Sequence, residues 1–554
     1  MKAAIDNLRL GLWFTVAVLA WACFQAWQLD YAPPRTFADA VEKAAPEPTQ
    51  DPAARLPALP QQPSAAATTP DAAAQPIDMP KRAPVHVRTD VLDVELDPLG
   101  GDLMRVSLPK YPVHKDQPDV PVVLLNPDAA DLFLFHTGLR TADGMPEPNH
   151  LTPMHTAQSE YALGDGDDDL AVTFTWEAPG QVAVDKIYHF RRGHYDIGLE
   201  YRVRNLGTEP YTAASYLQIE RLHHPPERSY FNVDSYSFTG PVTYDGKKYE
   251  KLDVGDIAKE PFRQKLPDGW LASIQHHFLA AVVPPADQEY SYEAAAQGGI
   301  YTLTAIGPLT TVAPGAEETL NAKLFVGPKL QAQLEEVADG LKLTVDYGRL
   351  TILAQPLFWL LQQIHNIVGN WGWSIIIATF LIKLVFYKLT ETSGRSMARM
   401  RKLQPRMTAL QERYKDDRQQ LSQALMDLYK REKVNPAAGC LPMLIQIPFF
   451  IAFYWVLLES VEMRQAPFAL WITDLSARDP FFILPLLMAA AMWFQTSLNP
   501  APPDPMQAKI MKWMPMLFAG MFAFFPAGLV LYWFTNSVLS IAQQWNINRK
   551  LAVE

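Results

Sequence analysis

The stretch SIIIATFLIKLVFY, residues 374–387, decides the fold of this chain. Apart from Lys383 it is apolar and predicts a membrane-crossing helix. An ammonium at that depth costs about a few kcal/mol and is normally kept only where it faces water, a partner or a substrate inside the bilayer. Snorkelling is the alternative, because lysine has a long stem and Lys388 marks the cytoplasmic edge. The spacing of five residues corresponds to a rise of about 7.5 Å, near the limit of that reach, so we favour a buried, functional Lys383.

Charge is unevenly distributed along the 554 residues. The segment Lys388–Lys433 contains twelve Lys and Arg but six Asp and Glu, a net charge of +6, whereas the whole chain carries −11. A basic block between two apolar runs is typical of a loop that stays in the cytoplasm. We therefore interpret the basic block as a signal of membrane topology rather than of nucleic-acid binding, and we predict no specific nucleic-acid partner.

A second candidate membrane segment lies near the N-terminus. Leu10–Leu29 contains 20 uncharged residues, enough to span a bilayer as a helix. A cleaved signal peptide is the alternative, because Ala20-Trp21-Ala22 has the small-x-small form of a cleavage site. The apolar run continues beyond that site through Trp27, so we predict an uncleaved anchor with its N-terminus in the cytoplasm.

The pattern then becomes polar. Residues 31–83 are rich in Pro, Ala, Gln and Thr and predict a disordered tether. From Pro84 to Gly327 the apolar residues recur with a period of two, in runs such as Ala171–Trp176, Val182–Phe190 and Ile197–Val203. Many short strands without helical patterns between them predict an antiparallel β-sandwich.

Helical patterns return after this region. Residues 329–340 predict a short helix, and Leu350–Gly369, apolar on one side and rich in amides, predicts a helix lying in the membrane interface. Three more apolar stretches follow at Cys440–Leu458, Phe481–Leu498 and Trp513–Asn548. Basic residues flank both ends of the last stretch, so we predict that it crosses the membrane twice as a hairpin.

The predicted hairpin is short for two crossings. It leaves about 16–17 residues for each, or about 25 Å of helix against a hydrocarbon core of about 30 Å. We expect the bilayer to be thinned beside it. The sequence thus predicts six crossings, with the polar domain outside after the first and both termini inside.

The basic segment 388–433 predicts a cytoplasmic hairpin of two helices with a break at 414–417. The apolar residues that recur there at helical spacing are Leu403, Met407, Leu410, Leu421, Leu425 and Leu428.

The sequence contains no nucleotide-binding, serine-hydrolase or metalloprotease motif. His223-His224 and His276-His277 come nearest to a metal site. We place both pairs on strands, where neighbouring side chains point to opposite faces and cannot bind one metal together. Asp165–Asp169 resembles the start of a calcium loop but lacks the later glycine and glutamate. We therefore predict no metal, no cofactor and no enzyme activity.

The membrane half of the sequence resembles the YidC family of membrane protein insertases. The similar segments are NWGWSIIIATFLIKLVFYKLT (370–390), MARMRKLQPRM (397–407), EKVNPAAGCLPMLIQIPFF (432–450), RQAPFALWITDLSARDP (464–480), DPMQAKIMKWMP (504–515) and FPAGLVLYWFTNSVLSIAQQ (525–544). In the polar half, TDVL (89–92), GGD (100–102) and FVGPK (325–329) look like the periplasmic domain of the Gram-negative form. The resemblance covers nearly the whole chain except the 31–83 tether.

The resemblance implies an α-helical polytopic protein of the bacterial inner membrane, with six transmembrane helices, a five-helix insertase core and a large periplasmic all-β supersandwich. With the patterns above, it divides the chain into an N-terminal anchor (1–30), a periplasmic linker (31–83), the supersandwich (84–328), a connecting helix with an interfacial helix (329–369), a second crossing (370–388), a cytoplasmic helical hairpin (389–434), a third crossing (435–463), a periplasmic loop (464–480), a fourth crossing (481–498), a cytoplasmic loop (499–512), a hairpin of the fifth and sixth crossings (513–548) and a short tail (549–554).

The family also implies a hydrophilic groove within the membrane. The groove carries a single basic residue, usually arginine, and Lys383 occupies the matching position. Lysine keeps the charge but lacks the planar fork that holds a carboxylate through two bonds. Thr379 lies one turn earlier on the same face. Tyr532 and Trp533 match substrate-contacting aromatic positions, although an interfacial aromatic belt is the alternative. The further candidates for the groove wall are Gln446 and Asn536.

The implied partners are nascent membrane proteins, which are the substrates, the Sec translocon and membrane lipids. Relatives often carry a basic C-terminal tail linked to ribosome contact, whereas this sequence stops at Arg549–Glu554. Ribosome contact is therefore expected through the hairpin 388–433 and the loop 499–512. The expected recruitment surface consists of Arg399, Arg401, Lys402 and Arg406.

These observations predict an insertase in which a short, acidic segment of the substrate enters the groove beside Lys383. The substrate's apolar helix would then slide into lipid along the aromatic wall, driven by its own transfer energy. A small-solute or ion transporter that uses Lys383 as an intramembrane counter-ion is the alternative. Such folds usually contain inverted repeats, and no internal repeat is evident in the sequence. A carbohydrate-binding sandwich on a membrane anchor would leave the other five crossings unexplained.

Overall fold

The computed structural model of the chain describes residues 57, 83–141, 145–224, 237–414, 417–432, 441–498 and 505–553. The predicted anchor (1–30) and all but two residues of the predicted linker (31–83) lie outside these ranges. The described residues form a β-rich part followed by a helical part, as the sequence predicts.

The β-rich part is built from three sheets. The first contains β1 (Val85–Arg88), β2 (Asp93–Asp97), β3 (Asp102–Pro112), β4 (Pro121–Leu125) and β7 (Glu160–Ala162), in the order β4-β3-β2-β1-β7. The second contains β6 (His155–Thr156), β8 (Asp169–Ala178), β9 (Val182–Arg191), β10 (Asp196–Asn205), β12 (Gly240–Tyr244), β13 (Tyr249–Lys251), β15 (Trp270–Gln275), β16 (Phe278–Val283) and β20 (Glu317–Pro328), in the order β13-β12-β15-β16-β20-β10-β9-β8-β6. The third contains β5 (Phe133–Thr141), β11 (Tyr211–Leu222), β14 (Phe262–Leu266), β17 (Tyr290–Gln297), β18 (Ile300–Ile306) and β19 (Thr310–Val312), in the order β14-β17-β18-β11-β19 with β5 beside β11.

The period of two accounts for these strands. In β10, which pairs antiparallel with β9 and β20, Ile197, Leu199 and Tyr201 are buried while Arg202 and Arg204 are exposed. Side chains also connect the sheets, because Ser273 of β15 hydrogen bonds with Arg221 of β11 and with Tyr301 of β18, both at 2.7 Å. The nine-stranded and six-stranded sheets therefore pack on a shared core.

The prediction for the two histidine pairs is wrong in its geometry. Neither pair lies on a strand: His223 and His224 follow the end of β11, and His276 and His277 form the turn between β15 and β16. In that turn the rings of His276 and His277 stack with their centroids 3.7 Å apart, so they do not point to opposite faces. Among the described residues, no group of three or more potential ligands is arranged to hold a metal.

The helices are α1 (Val254–Lys259), α2 (Gln331–Val337), α3 (Thr351–Val368), α4 (Trp371–Val385), α5 (Tyr387–Arg413), α6 (Arg418–Arg431), α7 (Leu441–Glu459), α8 (Ile483–Ser497), α9 (Pro505–Phe522) and α10 (Ala527–Val553). Short 3₁₀ turns occupy Leu341–Thr344, Gly348–Leu350 and Val461–Met463.

Local signals set the start of α4. Gly369 ends α3 in the left-handed conformation with φ of 68°, and Asn370 caps α4 by accepting a hydrogen bond from the backbone N of Trp373 at 3.1 Å. In α3, Leu357 and Leu361 face the protein, whereas Ile367 on the other side is 87% exposed. This amphipathic pattern matches the helix predicted for the membrane interface.

Membrane crossings are only partly supported by helix length and hydropathy. None of the described helices qualifies as a span by itself, but α4 together with Tyr387–Ser396 of α5 does, with a bend of 65° between them. The six crossings predicted from the sequence are therefore not confirmed. The helix predicted over 374–387 also differs from the structure, since α4 ends at Val385.

The basic segment forms the predicted pair of helices, α5 and α6. Leu403 and Met407 of α5 are buried against Leu425 and Leu428 of α6, which fixes the pairing of the two helices. Because α5 begins directly after the bend, the hairpin is continuous with α4 rather than a separate insert.

The β-rich part rests on the helical part at a surface that we call the junction, formed by residues 458–474. Arg464 donates from Nη2 to the carbonyl oxygen of Pro112 at 2.8 Å. Lys115 donates to the carbonyl oxygens of Gln465 and Thr473. Contacts of this kind fix where the β-rich part sits relative to the helices.

Candidate functional site

A small cavity lies where α4, α7 and α10 meet. Its volume is about 20 Å³, room for about one water molecule. The lining residues are Thr379, Ile382, Lys383, Phe386, Gln446, Phe449, Tyr532 and Asn536. Five of the six residues predicted for the groove thus line one cavity, and Trp533 is the exception.

Lys383 is buried at this cavity. The residue is 8% exposed, and its Nζ donates a hydrogen bond to Oγ of Ser540 at 2.7 Å. In the part of the chain that the structure describes, no carboxylate forms an ion pair with Lys383. The geometry favours a buried ammonium over one that snorkels to the helix end, and it leaves the charge without a counter-ion in the described residues.

Three further polar residues at the cavity come from three helices. Thr379 is buried on α4 and donates from Oγ1 to the carbonyl oxygen of Ile375 at 2.6 Å. Gln446 on α7 and Asn536 on α10 are half-buried and border the same space. The cavity therefore combines one positive charge with a few neutral polar groups in otherwise apolar walls.

The two predicted aromatic residues occupy different positions. Tyr532 is 5% exposed and stacks on Phe453 of α7 with centroids 4.5 Å apart, and it lines the cavity. Trp533, on the next face of α10, packs edge-on against Phe450 at 4.6 Å and lies beside Phe522 of α9 at 5.4 Å. Trp533 therefore belongs to an aromatic cluster between helices that adjoins the cavity.

Side chains in the C-terminal half of α10 hydrogen bond to the bend between α4 and α5. Gln543 donates from Nε2 to the carbonyl oxygen of Tyr387 at 3.3 Å, and Asn546 donates from Nδ2 to the Tyr387 hydroxyl at 3.3 Å. A side chain at Gly394 would meet Ile547, with Cβ only 2.8 Å from Cδ1. The start of α5 thus lies close against α10, which fixes the direction in which the chain leaves the cavity.

A proline interrupts the hydrogen bonding of α7, the helix that forms the third wall of the cavity. Pro448 lies inside α7, two residues after Gln446. Proline has no backbone N–H, so one helical hydrogen bond is absent at this level and the helix bends there more easily.

The predicted recruitment surface lies on α5, apart from the cavity. Arg399 and Lys402 are exposed, and Arg406 forms a salt bridge from Nη1 to Oε1 of Glu432 at 2.6 Å. The side chain of Arg401 lies outside the described residues. The exposed side chains of Arg399 and Lys402 give this part of α5 a basic surface.

Sequence reasoning missed Ser540. Its position was nevertheless visible, because Ser540 follows Asn536 by four residues and Tyr532 by eight, and these spacings share one face of a helix. Ile382, Phe386 and Phe449 were also missed, since apolar residues in an apolar helix carry no distinguishing signal.

A larger cavity of about 90 Å³ lies in the β-rich part. Its lining residues are Ser215, Pro285, Gln288, Tyr290, Pro308, Thr319, Leu320 and Asn321, none of which is charged. This cavity therefore has no charged lining residue comparable to Lys383.

Comparisons with known proteins cover both parts of the chain. Residues 84–360 match the family described as the YidC periplasmic domain, and residues 363–554 match the family described as 60Kd inner membrane protein. Proteins named membrane protein insertase YidC are similar over almost their full length. The one from Thioalkalivibrio sulfidiphilus is 46% identical, covering 99% of this chain and 99% of the relative. The one from Nitrosococcus oceani is 45% identical, covering 99% and 100%.

Among solved structures, one described as an active YidC insertase with the first transmembrane domain resolved covers 84% of this chain and 92% of its own. It is 18% identical with a TM-score of 0.39, so the comparison rests on the sequence matches.

Proposed function

Because this chain belongs to the YidC family of membrane protein insertases, we propose that it inserts its substrates by holding a short polar segment beside Lys383. The observation that carries the proposal is a buried ammonium, without an ionic partner among the described residues, at a cavity shared by three helices. A chain keeps such a charge in an apolar setting where it meets a substrate or a water path.

The ammonium lowers the cost of bringing an acidic segment into the membrane. A carboxylate transferred from water into hydrocarbon loses its hydration without compensation. Beside Lys383 it meets an opposite charge in a medium of low polarity, where Coulomb attraction is strong. The substrate's apolar helix then enters lipid by its own hydrophobic transfer energy, and this step needs no nucleotide.

The cavity must widen before it can admit a segment of polypeptide. Its present volume of about 20 Å³ suffices for about one water molecule. Two features support widening through helix movement: the bend between α4 and α5, and Pro448 in α7. We infer that separation of α7 from α4 and α10 opens the cavity toward the cytoplasm as the substrate enters.

One short helix supports the proposed thinning of the bilayer. Helix α8 has 15 residues, which correspond to about 22 Å against a hydrocarbon core of about 30 Å. A thinner bilayer shortens the apolar path that the polar segment has to cross. The thinning beside the 513–548 hairpin stays a prediction, because α9 and α10 extend beyond that stretch, to Pro505 and Val553.

The chain is an inner-membrane protein with a periplasmic domain, and its substrates are nascent membrane proteins. We extend this to six crossings with cytoplasmic termini, to lipid contact along α3, and to cooperation with a Sec translocon. The exposed basic residues of α5 support ribosome contact through the hairpin. Insertion by this route forms no covalent bond, so we infer that the protein is not an enzyme.

Membership of the insertase family argues against the alternative function of a small-solute transporter. The uncharged second cavity likewise adds no support for a separate sugar-binding function of the β-rich part.

An insertion assay in proteoliposomes tests the proposal, with Lys383→Ala, Lys383→Glu and a substrate whose leading segment is acidic. Both variants should insert this substrate severalfold less than the wild type, the Glu variant least because like charges repel. Lys388→Ala is the matched control, since Lys388 is exposed five residues further along and should be dispensable. Wild-type insertion by the Glu variant would remove the electrostatic step.

A further inference from the structure

The hydroxyl of Ser540 contacts two groups at the cavity. Its Oγ accepts the hydrogen bond from Lys383 Nζ at 2.7 Å and donates its own proton to the carbonyl oxygen of Asn536 at 2.7 Å. The second bond fixes the orientation of the hydroxyl, so that a lone pair of Oγ faces the ammonium. Ser540 is thus oriented as an acceptor for Lys383.

A hydrogen bond can set where the Lys383 ammonium lies, because the lysine side chain is flexible. The side chain of Lys383 has four rotatable carbons and lies two residues before the end of α4. A lysine in this position tends to extend along its stem toward the polar helix end. The bond to Ser540 reaches across from α10 and holds the ammonium at the cavity that Asn536 also lines.

The other nearby hydroxyl is already committed. Thr379 donates its proton to the carbonyl oxygen of Ile375 on its own helix, at 2.6 Å. No hydrogen bond joins Thr379 to Lys383 in the described structure. Ser540 is therefore the side chain that sets the position of the ammonium there.

Serine can position the ammonium without neutralising it. A carboxylate at position 540 would form an ion pair with Lys383 and cancel its charge, whereas a neutral hydroxyl takes up only one of the three N–H donors. The two remaining donors and the full positive charge stay available for a ligand.

We propose that Ser540 is a positioning residue that holds Lys383 at the cavity, and that it thereby sets the preference for substrates with a carboxylate in the leading segment. This inference rests on the proposed role of Lys383 in insertion. Ser540 acts through Lys383 and is not required to touch the substrate.

The test compares two substrates that differ only by Asp→Asn in the leading segment. The ratio of acidic to neutral insertion is measured in proteoliposomes for the unmodified full chain and for each variant named below. Ser540→Ala should lower this ratio about tenfold, the effect of one hydrogen bond to a charged group. Ser540→Thr should restore it, and Ser540→Asp should abolish the preference by pairing with Lys383.

Ser537→Ala is the matched control, because Ser537 is a buried serine one turn earlier on α10 and, among the described residues, Ser540 rather than Ser537 accepts the hydrogen bond from Lys383. It should leave the ratio unchanged. A role of Ser540 in packing alone would reduce insertion of both substrates equally, and that result would overturn the inference. An unchanged ratio in Ser540→Ala would overturn it as well.

Lys383→Ala, measured in parallel, separates this inference from the proposed function. If Lys383→Ala lowers the ratio and Ser540→Ala does not, only the role of Ser540 fails. If Lys383→Ala leaves the ratio unchanged, the charge step itself fails and the inference fails with it. In the double variant, Ser540→Ala should add nothing to the effect of Lys383→Ala, because both changes remove the same oriented charge.

Discussion

Ser237 of the β-rich part donates a hydrogen bond from Oγ to Oε1 of Glu459, the last residue of α7, at 2.6 Å. Both residues are buried. One residue earlier, the carbonyl oxygen of Leu458 accepts from Nε2 of His276 at 2.9 Å. The end of α7 at Glu459, a helix that lines the cavity, is therefore held by side chains of the β-rich part. The junction thus connects the two parts through hydrogen bonds.

Substitution of Gly372 is expected to disturb the contact between α4 and the junction. A Cβ atom there would lie 2.0 Å from Cδ2 of Phe468, so the ring and its backbone would have to move. Gly372→Ala should lower the free energy of unfolding by about 1–3 kcal/mol, the usual cost of overpacking. Denaturant unfolding of the detergent-solubilised chain measures this change.

Gly520→Ala is the control for that experiment. Gly520 lies in α9 with no atom within 4 Å of an added Cβ, and alanine favours a helix by up to about 1 kcal/mol. Equal destabilisation by both substitutions would contradict the predicted contact.

Lys186 is expected to be essential for the stability of the β-rich part. It is fully buried and donates to the carbonyl oxygen of Gly100 at 2.7 Å and to Oδ1 of Asp102 at 2.9 Å. Lys186→Met leaves the Asp102 carboxylate without that partner and should cost about 3–5 kcal/mol. Hydrogen exchange on strands β5 and β9 reports the loss of stability.

Lys259→Met serves as the surface comparison. Lys259 and its partner Asp256 have side chains that are 79% and 77% exposed, and removing such a pair should change stability by less than about 0.5 kcal/mol. Similar exchange rates in the two variants would contradict a structural role for the buried pair.

Glu462 should make the junction sensitive to pH. Burial raises the pKa of its carboxyl to about 7 from the usual 4.5, against the opposing hydrogen bonds of its own backbone and of Gln331. The folded state then holds a proton that the unfolded state has released. Its stabilising contribution is complete below pH 4.5 and is lost as the pH rises through about 7, so stability should fall with pH in this window.

Glu462→Gln should remove this dependence, because the amide does not titrate. Hydrogen exchange on α2, which contacts Glu462 through Gln331, is compared between variant and wild type at equal pH. The exposed Glu336→Gln in the same helix is the control and should follow the wild type. A wild-type pH profile in the Glu462 variant would exclude this carboxyl as the cause.

Photocrosslinking tests which residues border the substrate path. A photoreactive amino acid at position 446 or 536 should capture a stalled nascent membrane protein, since both positions border the cavity. Position 529, on the same helix as Asn536 but fully buried away from the cavity, should capture none. Equal capture from 529 and 536 would place the path elsewhere.

The sequence predicts which residues lie together at the cavity, because residues four apart lie on the same face of a helix. Tyr532 and Asn536 are four residues apart, and Thr379 and Lys383 are four apart, so each pair shares one face of its helix. Their meeting around one cavity depends on helix packing, for which the family resemblance supplied the expectation.

Other features could not be read from local pattern. The bend after Val385 contains neither proline nor glycine, and it depends on Gln543 and Asn546, more than 150 residues away. The sequence analysis places His276 and His277 on a strand, whereas in the structure they form a two-residue turn between the buried strands β15 and β16. Strand ends of this kind are decided by pairing across the sheet rather than by the residues themselves.

Glu459 and Pro448 together determine how α7 can move. Glu459 fastens the outer end of the helix, while Pro448 makes it pliable eleven residues away, next to Gln446. The joint at Pro448 lies between the held end and Gln446, so the segment that bears Gln446 can tilt while the contacts of Glu459 stay in place. Access to the cavity can therefore change without any displacement of the periplasmic domain.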